Sequence, residues 1–265
     1  YRGQKRYQDQ IFTSSLERAY KEFNLEQDTI RDREKEIIRE FKRKYHHYSS
    51  DIPNDDDNLE WMSIMQHYGA PTRLLDWTYS FFVAVYFAIE NVKEHNINSN
   101  FIFECDVWAL NSEYFSAKTV LKPEGYKQIE RECKRYMFVS SQYYNDERMV
   151  ERIKIIDYLI SHPLFCVHAV NPFRLNERLT IQQGVFLFPG DITTISFDDN
   201  LTLKYEGKES KKNLIRFMIN VTKEERLNII KKLHTMNISR AVLFPGLEGF
   251  AELLKTGMAY LPELT

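Results

Sequence analysis

Apolar residues fall at helical spacing over the first hundred positions, and alternating runs appear after them. Thr13-Ser14-Ser15 ahead of Leu16-Glu17-Arg18 predicts a helix start. From Asp28 to Tyr45, Ile30, Ile37, Ile38, Phe41 and Tyr45 share one face, which predicts an amphipathic helix with a charged outside. Ser49 to Asn58 reads as a polar loop, with Asn58 capping a helix striped by Trp61, Met62, Met65 and Tyr68. Gly69 and Pro71 end that helix. Ser80 to Ile89 is apolar almost all round and predicts a buried helix, capped by Thr78 or Ser80.

Phe101 to Trp108 predicts a strand with Phe101, Phe103, Cys105 and Val107 on one face. Asn111 to Tyr144 predicts short helices and loops. Asp146 to Ile160 predicts a helix that Pro163 stops. Leu164 to Val170, Arg178 to Phe188 and Leu214 to Val221 read as strands, and Ile238 to Phe244 as a short strand or turn. Thr222-Lys223-Glu224-Glu225 forms a capping box, and a last helix is expected over Leu247 to Tyr260. The pattern implies an α+β fold: a mixed central sheet with helical insertions in one domain over 1–265, helix-rich over 1–100 and strand-rich over 101–265.

Composition narrows the class. Hydrophobic residues make up 43% of the chain, enough for a packed core. No run reaches the roughly 18–20 apolar residues of a membrane span, and none resembles a signal peptide. A cytoplasmic protein without a membrane partner is the expectation, although Tyr1 is not an initiator Met. Cys105, Cys133 and Cys166 lack paired spacing and read as reduced thiols, with no zinc site or disulfide framework; Cys166 near His168 reads as a strand residue before a catalytic one. Net charge is −2, so nothing global points to nucleic acid. Lys35, Arg39, Lys42, Arg43 and Lys44 interleave with Glu34, Glu36 and Glu40, as on a solvated helix face.

Candidate chemistry concentrates in Gln66 to Thr78. His67, Thr72, Arg73, Asp76, Trp77 and Thr78 lie together between two helical patterns, where polar groups must be paired or used. His67 reads equally as a site residue or as a core histidine bonded to a carbonyl. Arg73 with Asp76 reads also as a buried ion pair that holds the loop. Arg2 carries a fork of donors suited to phosphate or carboxylate, and Gly3 admits close backbone approach. Arg178 and Gln182, four apart on the expected strand, point to one face.

Tyr1-Arg2-Gly3-Gln4, Gln66-His67-Tyr68-Gly69, Pro71-Thr72-Arg73-Leu74-Leu75-Asp76-Trp77-Thr78 and Phe87-Ala88 together resemble the FRG domain. Arg178…Gln182-Gln183-Gly184-Val185-Phe186 and Leu243-Phe244-Pro245-Gly246-Leu247-Glu248-Gly249 also resemble that family. The resemblance implies a family and little mechanism.

The order of polar groups is similar to that of toxin-type mono-ADP-ribosyltransferases. There an Arg on the first strand holds NAD, a Ser/Thr strand leads into a helix, and a late strand carries a catalytic Glu. Asp76-Trp77-Thr78 with Ala84 and Phe87 resembles the middle element, and Glu177 to Gly184 the late one. Gln182 stands in that late stretch and supplies no negative charge. That likeness implies Asp76 and Gln182 at the reacting end. Arg2, Gly3, His67, Thr72, Arg73, Trp77, Thr78 and Arg178 would hold the ligand.

The leading expectation is thus an enzyme acting on a nucleotide, with NAD as substrate. The alternative is a module that senses a nucleotide or other anionic small molecule, or binds a protein partner, without turnover. A third is a nuclease using Asp76 with a divalent metal.

Overall fold

The computed structural model describes residues 1–5, 12–90, 92, 94–97, 100–112, 156–163, 166–194, 196–202 and 210–258. In chain order the elements are β1 (Arg2–Lys5), α1 (Ser15–Glu22), a 3-10 turn at Gln27–Thr29, α2 (Ile30–Tyr45), α3 (Asn58–His67), β2 (Leu75–Thr78), α4 (Phe81–Ile89), β3 (Glu94–Ile97) and β4 (Asn100–Leu110). Helical residues 156–161 (α5) follow. Then come β5 (Val167–Val170), α6 (Glu177–Ile181), β6 (Gly184–Pro189), α7 (Phe197–Thr202), α8 (Ser210–Asn213), β7 (Leu214–Val221), α9 (Lys223–Thr235), α10 (Arg240–Leu243) and α11 (Leu247–Gly257). No helix among the described residues is long and apolar enough to cross a membrane.

The fold is α+β, as the pattern implied, but the strands do not form one mixed sheet. They form two small sheets, and every described pairing is antiparallel. In the first, β4 is the spine: β1 and β3 pair with it, and β7 pairs along Phe103 to Leu110. The second has the order β2-β6-β5.

Local chemistry explains most of the starts and stops. Ser14 caps α1 with the full box to Glu17, and Thr222 caps α9 in the same way through Glu225. Asp57, one residue before the expected Asn58, caps α3 by accepting from the Glu60 N–H. Ser80 caps α4, while the Thr78 hydroxyl accepts from the Ser80 N–H at 3.0 Å. At the end of α3, Gly69 N–H donates to the Gln66 carbonyl and Ala70 N–H to the Met65 carbonyl. Gly69 has φ +81°, so this is a Schellman stop that requires the glycine.

Two expectations about local structure are corrected, and one alternative is decided. Leu75 to Thr78 belongs to a strand rather than to a loop. Arg178 to Phe188 is no continuous strand: α6 is capped by Asn176, Gln183 turns the chain at φ +48°, and β6 begins at Gly184. A run of polar and apolar residues at spacing four fits strand and helix alike, and the Asn176 cap decides for helix. Of the two readings of Ile238 to Phe244, strand or turn, the second holds: Arg240–Leu243 is a helical turn. The expectations for 113–150 and Cys133, and most of the helix before Ile156, lie outside the described residues.

α4 is the hub. Val83, Ala84, Tyr86, Ala88 and Ile89 pack with Phe103, Cys105 and Val107 of β4, and with Leu233 and Leu243. β1 crosses α4 so closely that a methyl group on Gly3 would overlap the Ala84 carbonyl oxygen. A second core joins Ile38, Met62, Met65, Leu159, Phe186 and Phe188. A third unites the sheets through Trp77, Trp108, Val185 and Phe12. The sheets also touch directly, where the Thr78 N–H donates to the Tyr1 carbonyl at 2.8 Å.

Candidate functional site

The stretch Gln66 to Thr78 lies at the meeting of the two sheets, and most of its polar groups serve the chain itself. Arg73 is 1% exposed. Its Nε donates to Glu34 Oε1 at 2.7 Å, its Nη2 to Glu34 Oε2, and its Nη1 to the Pro189 carbonyl at 3.3 Å. The expected Arg73–Asp76 pair is therefore replaced by Arg73–Glu34. Glu34, read from the sequence as part of a solvated face, is buried.

Thr72 is buried as well. Its hydroxyl donates to Gln66 Oε1 at 2.6 Å, and its carbonyl accepts from Leu16 N–H and the Ser15 hydroxyl. Trp77 is a core residue stacked on Phe12. The Thr78 hydroxyl donates to the Gln182 carbonyl at 2.7 Å. Gln182 ends α6, and its amide donates to the Leu243 carbonyl at 2.8 Å. Gly3 seats β1 on α4. Arg2 Nη1 donates to the Asp76 carbonyl at 2.6 Å and so fastens β1 to β2.

What remains open converges on one cleft of about 610 Å³. His67, Asn176, Arg178, Arg240, Phe244 and Glu248 are among its walls. The Arg178 guanidinium lies 4.3 Å from the Phe244 ring centre, and that of Arg240 lies 3.6 Å from it. Arg240 Nη1 pairs with Glu90 at 3.1 Å. The Arg178 side chain makes no hydrogen bond or ion pair among the described residues.

Asp76 stands beside this cleft. It is exposed, its Oδ2 accepts from the Gln66 amide at 3.0 Å, and its charge acts on both Arg2 and Arg178. Burial, and after it the Arg178 charge, hold His67 below its usual pKa. His67 is thus a neutral partner at neutral pH.

Of the residues singled out from the sequence, the cleft brings together His67 and Arg178, with Asp76 near by. It does not recruit Thr72, Arg73, Trp77 or Gln182. Sequence reasoning missed Arg240, Phe244 and Glu248 as site residues. Phe244 and Glu248 lay in a stretch already noted, Leu243 to Gly249, and Arg240 precedes it by three residues. Their signal was that motif, which has no chemistry until α6 is placed against it. Among the described residues no three His, Cys, Asp or Glu side chains group to hold a metal ion.

No curated protein matches the chain, and no solved structure does. A family model matches its first part, which supplies His67, Tyr68 and Asp76; Arg178, Arg240 and Phe244 lie beyond the match. That model is the FRG domain, and it matches residues 1–97 of the chain.

Proposed function

We propose that the protein binds a small anionic molecule in the cleft between α6 and α10. One observation carries this reading: Arg178 is a partly enclosed guanidinium, held on Phe244, whose donors meet no acceptor among the described residues. A planar fork held by an aromatic ring suits a carboxylate or phosphate oxygen pair. Neutral His67 and the Asn176 amide flank it as further polar partners. The cleft volume lies in the range of small-molecule sites. The role is binding or sensing, without turnover.

Thermal shift with inorganic phosphate, acetate, ADP-ribose and NAD tests it. Ligand at about a hundred times its dissociation constant stabilises a protein by roughly 2.7 kcal/mol. At least one anion raises the melting temperature of the native chain, and Arg178→Ala abolishes the rise. An equal rise in Arg178→Ala, or none with any anion, overturns the reading.

A second reading, an ADP-ribosyltransferase-like activity on NAD, is favoured by Asp76. Its carboxylate is exposed and its charge acts on Arg178, so it would stabilise positive charge on an opening ribose. Against it, Arg73 and the Gln182 amide are already bound within the chain. Incubation with labelled NAD decides: released nicotinamide that disappears in Asp76→Asn supports turnover, and silence from the native protein ends it.

A further inference from the structure

A second cavity adjoins the cleft. It has about 590 Å³ and is lined by Ile37, Phe41, Tyr45, Tyr48, Met65 and Tyr68, with Ala70 and Pro71 closing one end. It forms where the Schellman stop turns the chain away after α3, so that Met65 and Ala70 face the end of α2. Tyr68 lines both cavities. Its ring is 71% exposed and meets His67 edge-on at 4.9 Å. Tyr68 is thus a wall that the two cavities share.

We infer that the ligand of the cleft is an amphiphile: one negative headgroup at Arg178 and an apolar body in the groove beyond Tyr68. This rests on the anion-binding reading and adds the ligand class.

The charge count disfavours a polyanion. Glu177 and Glu248 share the cleft with Arg178 and Arg240, and Glu90 already pairs with Arg240. A di- or triphosphate would meet those carboxylates without enough cations to offset them. The lining of the groove favours an apolar chain over a nucleobase. Apart from the tyrosine hydroxyls, only Glu40, Lys44 and Ser49 bring polar side chains to it, too few to satisfy the buried edge of a base. Both cavities fall within the range of small-molecule sites, and together they give the mostly apolar pocket with a few polar groups that such sites show.

Calorimetric titration of the full chain with decanoate below its micelle concentration, acetate, decanol and adenosine monophosphate tests the inference. Decanoate is expected to bind on the order of a hundredfold tighter than acetate, from burial of its methylenes, and tighter than decanol. Arg178→Ala lowers decanoate to the level of decanol. Tyr48→Ala, at a side chain 85% exposed on the groove rim, brings the decanoate-to-acetate ratio toward one without endangering the fold. Equal binding of acetate and decanoate, both lost in Arg178→Ala, leaves the anion cleft standing and overturns the groove. Decanoate binding unchanged in Arg178→Ala, with no acetate binding, overturns both. Adenosine monophosphate binding tighter than decanoate overturns the apolar body.

Discussion

Arg73 and Arg178 occupy two regions that look alike in the sequence and differ in the fold. Each was a candidate ligand holder beside other polar residues. Around Arg73, Glu34 fills the guanidinium fork, the Pro189 carbonyl takes a third donor, and the Phe188 ring lies 4.9 Å from its centre. Around Arg178, an aromatic ring fixes the guanidinium but no acceptor among the described residues fills the fork. The difference teaches that an arginine in a motif is a structural fastener when the chain brings its own carboxylate. It is a candidate for recognition when the chain supplies the platform and omits the acceptor.

The largest expected effect lies on the Arg73 side. Glu34→Ala leaves an uncompensated buried charge and is expected to lower stability by about 3–5 kcal/mol. Urea melts check this. The double substitution Glu34→Leu with Arg73→Met recovers much of the loss, since apolar replacements of a buried pair are often well tolerated. A single-mutant loss below about 1 kcal/mol would show that the pair is screened like a surface bridge, and the contrast between the two arginines would collapse.

Gly3→Ala comes next. Its new methyl meets main chain of α4, which cannot rotate away, so β1 must shift; about 1–3 kcal/mol is expected. Retained stability with lost anion binding would move Gly3 back among ligand contacts.

Arg178→Ala is expected to cost less than about 1 kcal/mol, the worth of an exposed cation–π contact, while removing anion binding. A loss as large as that of Glu34→Ala would place Arg178 in the structural class.

The smallest effect is a pH dependence in the cleft. His67 titrates below its ordinary value of 6.5, so it is neutral at pH 7 and becomes cationic only as pH falls through the lowered value. Anion affinity should therefore rise modestly on acidification below pH 6.5. Since an anion favours the protonated form, its binding raises the His67 pKa in return. The sign for stability is opposite: the unfolded chain takes the proton first, so any contribution from neutral His67 is lost on acidification. Titrations at several pH values in the native chain and in His67→Gln check this; an identical slope in both would remove His67 from the site.

Much of the fold was legible in advance because its signals are local. Ser14 with Glu17, Thr222 with Glu225, and Gly69 after an apolar stripe satisfy backbone groups within a few residues of themselves. The alternation placed Phe103, Cys105 and Val107 of β4 on one core-facing side, while Asp106 and Trp108 on the other side are buried as well. The motif around Gln66 to Thr78 supplies His67 and Tyr68 to the cleft, while Thr72, Arg73 and Trp77 are buried.

The tertiary structure alone decided the partners. Glu34 sits in a run of charges that reads as solvated, and only the packing of α2 brings it to Arg73, 39 positions away. Gln182 and Arg178 do share a face, yet they share it on a helix. That face docks on α10 and Phe244, more than sixty residues downstream. Caps and periods are set by the backbone's own hydrogen bonds, so neighbouring residues determine them. Which carboxylate reaches which guanidinium depends on how elements far apart in the chain bury their apolar faces, and that choice is made only when the cores form.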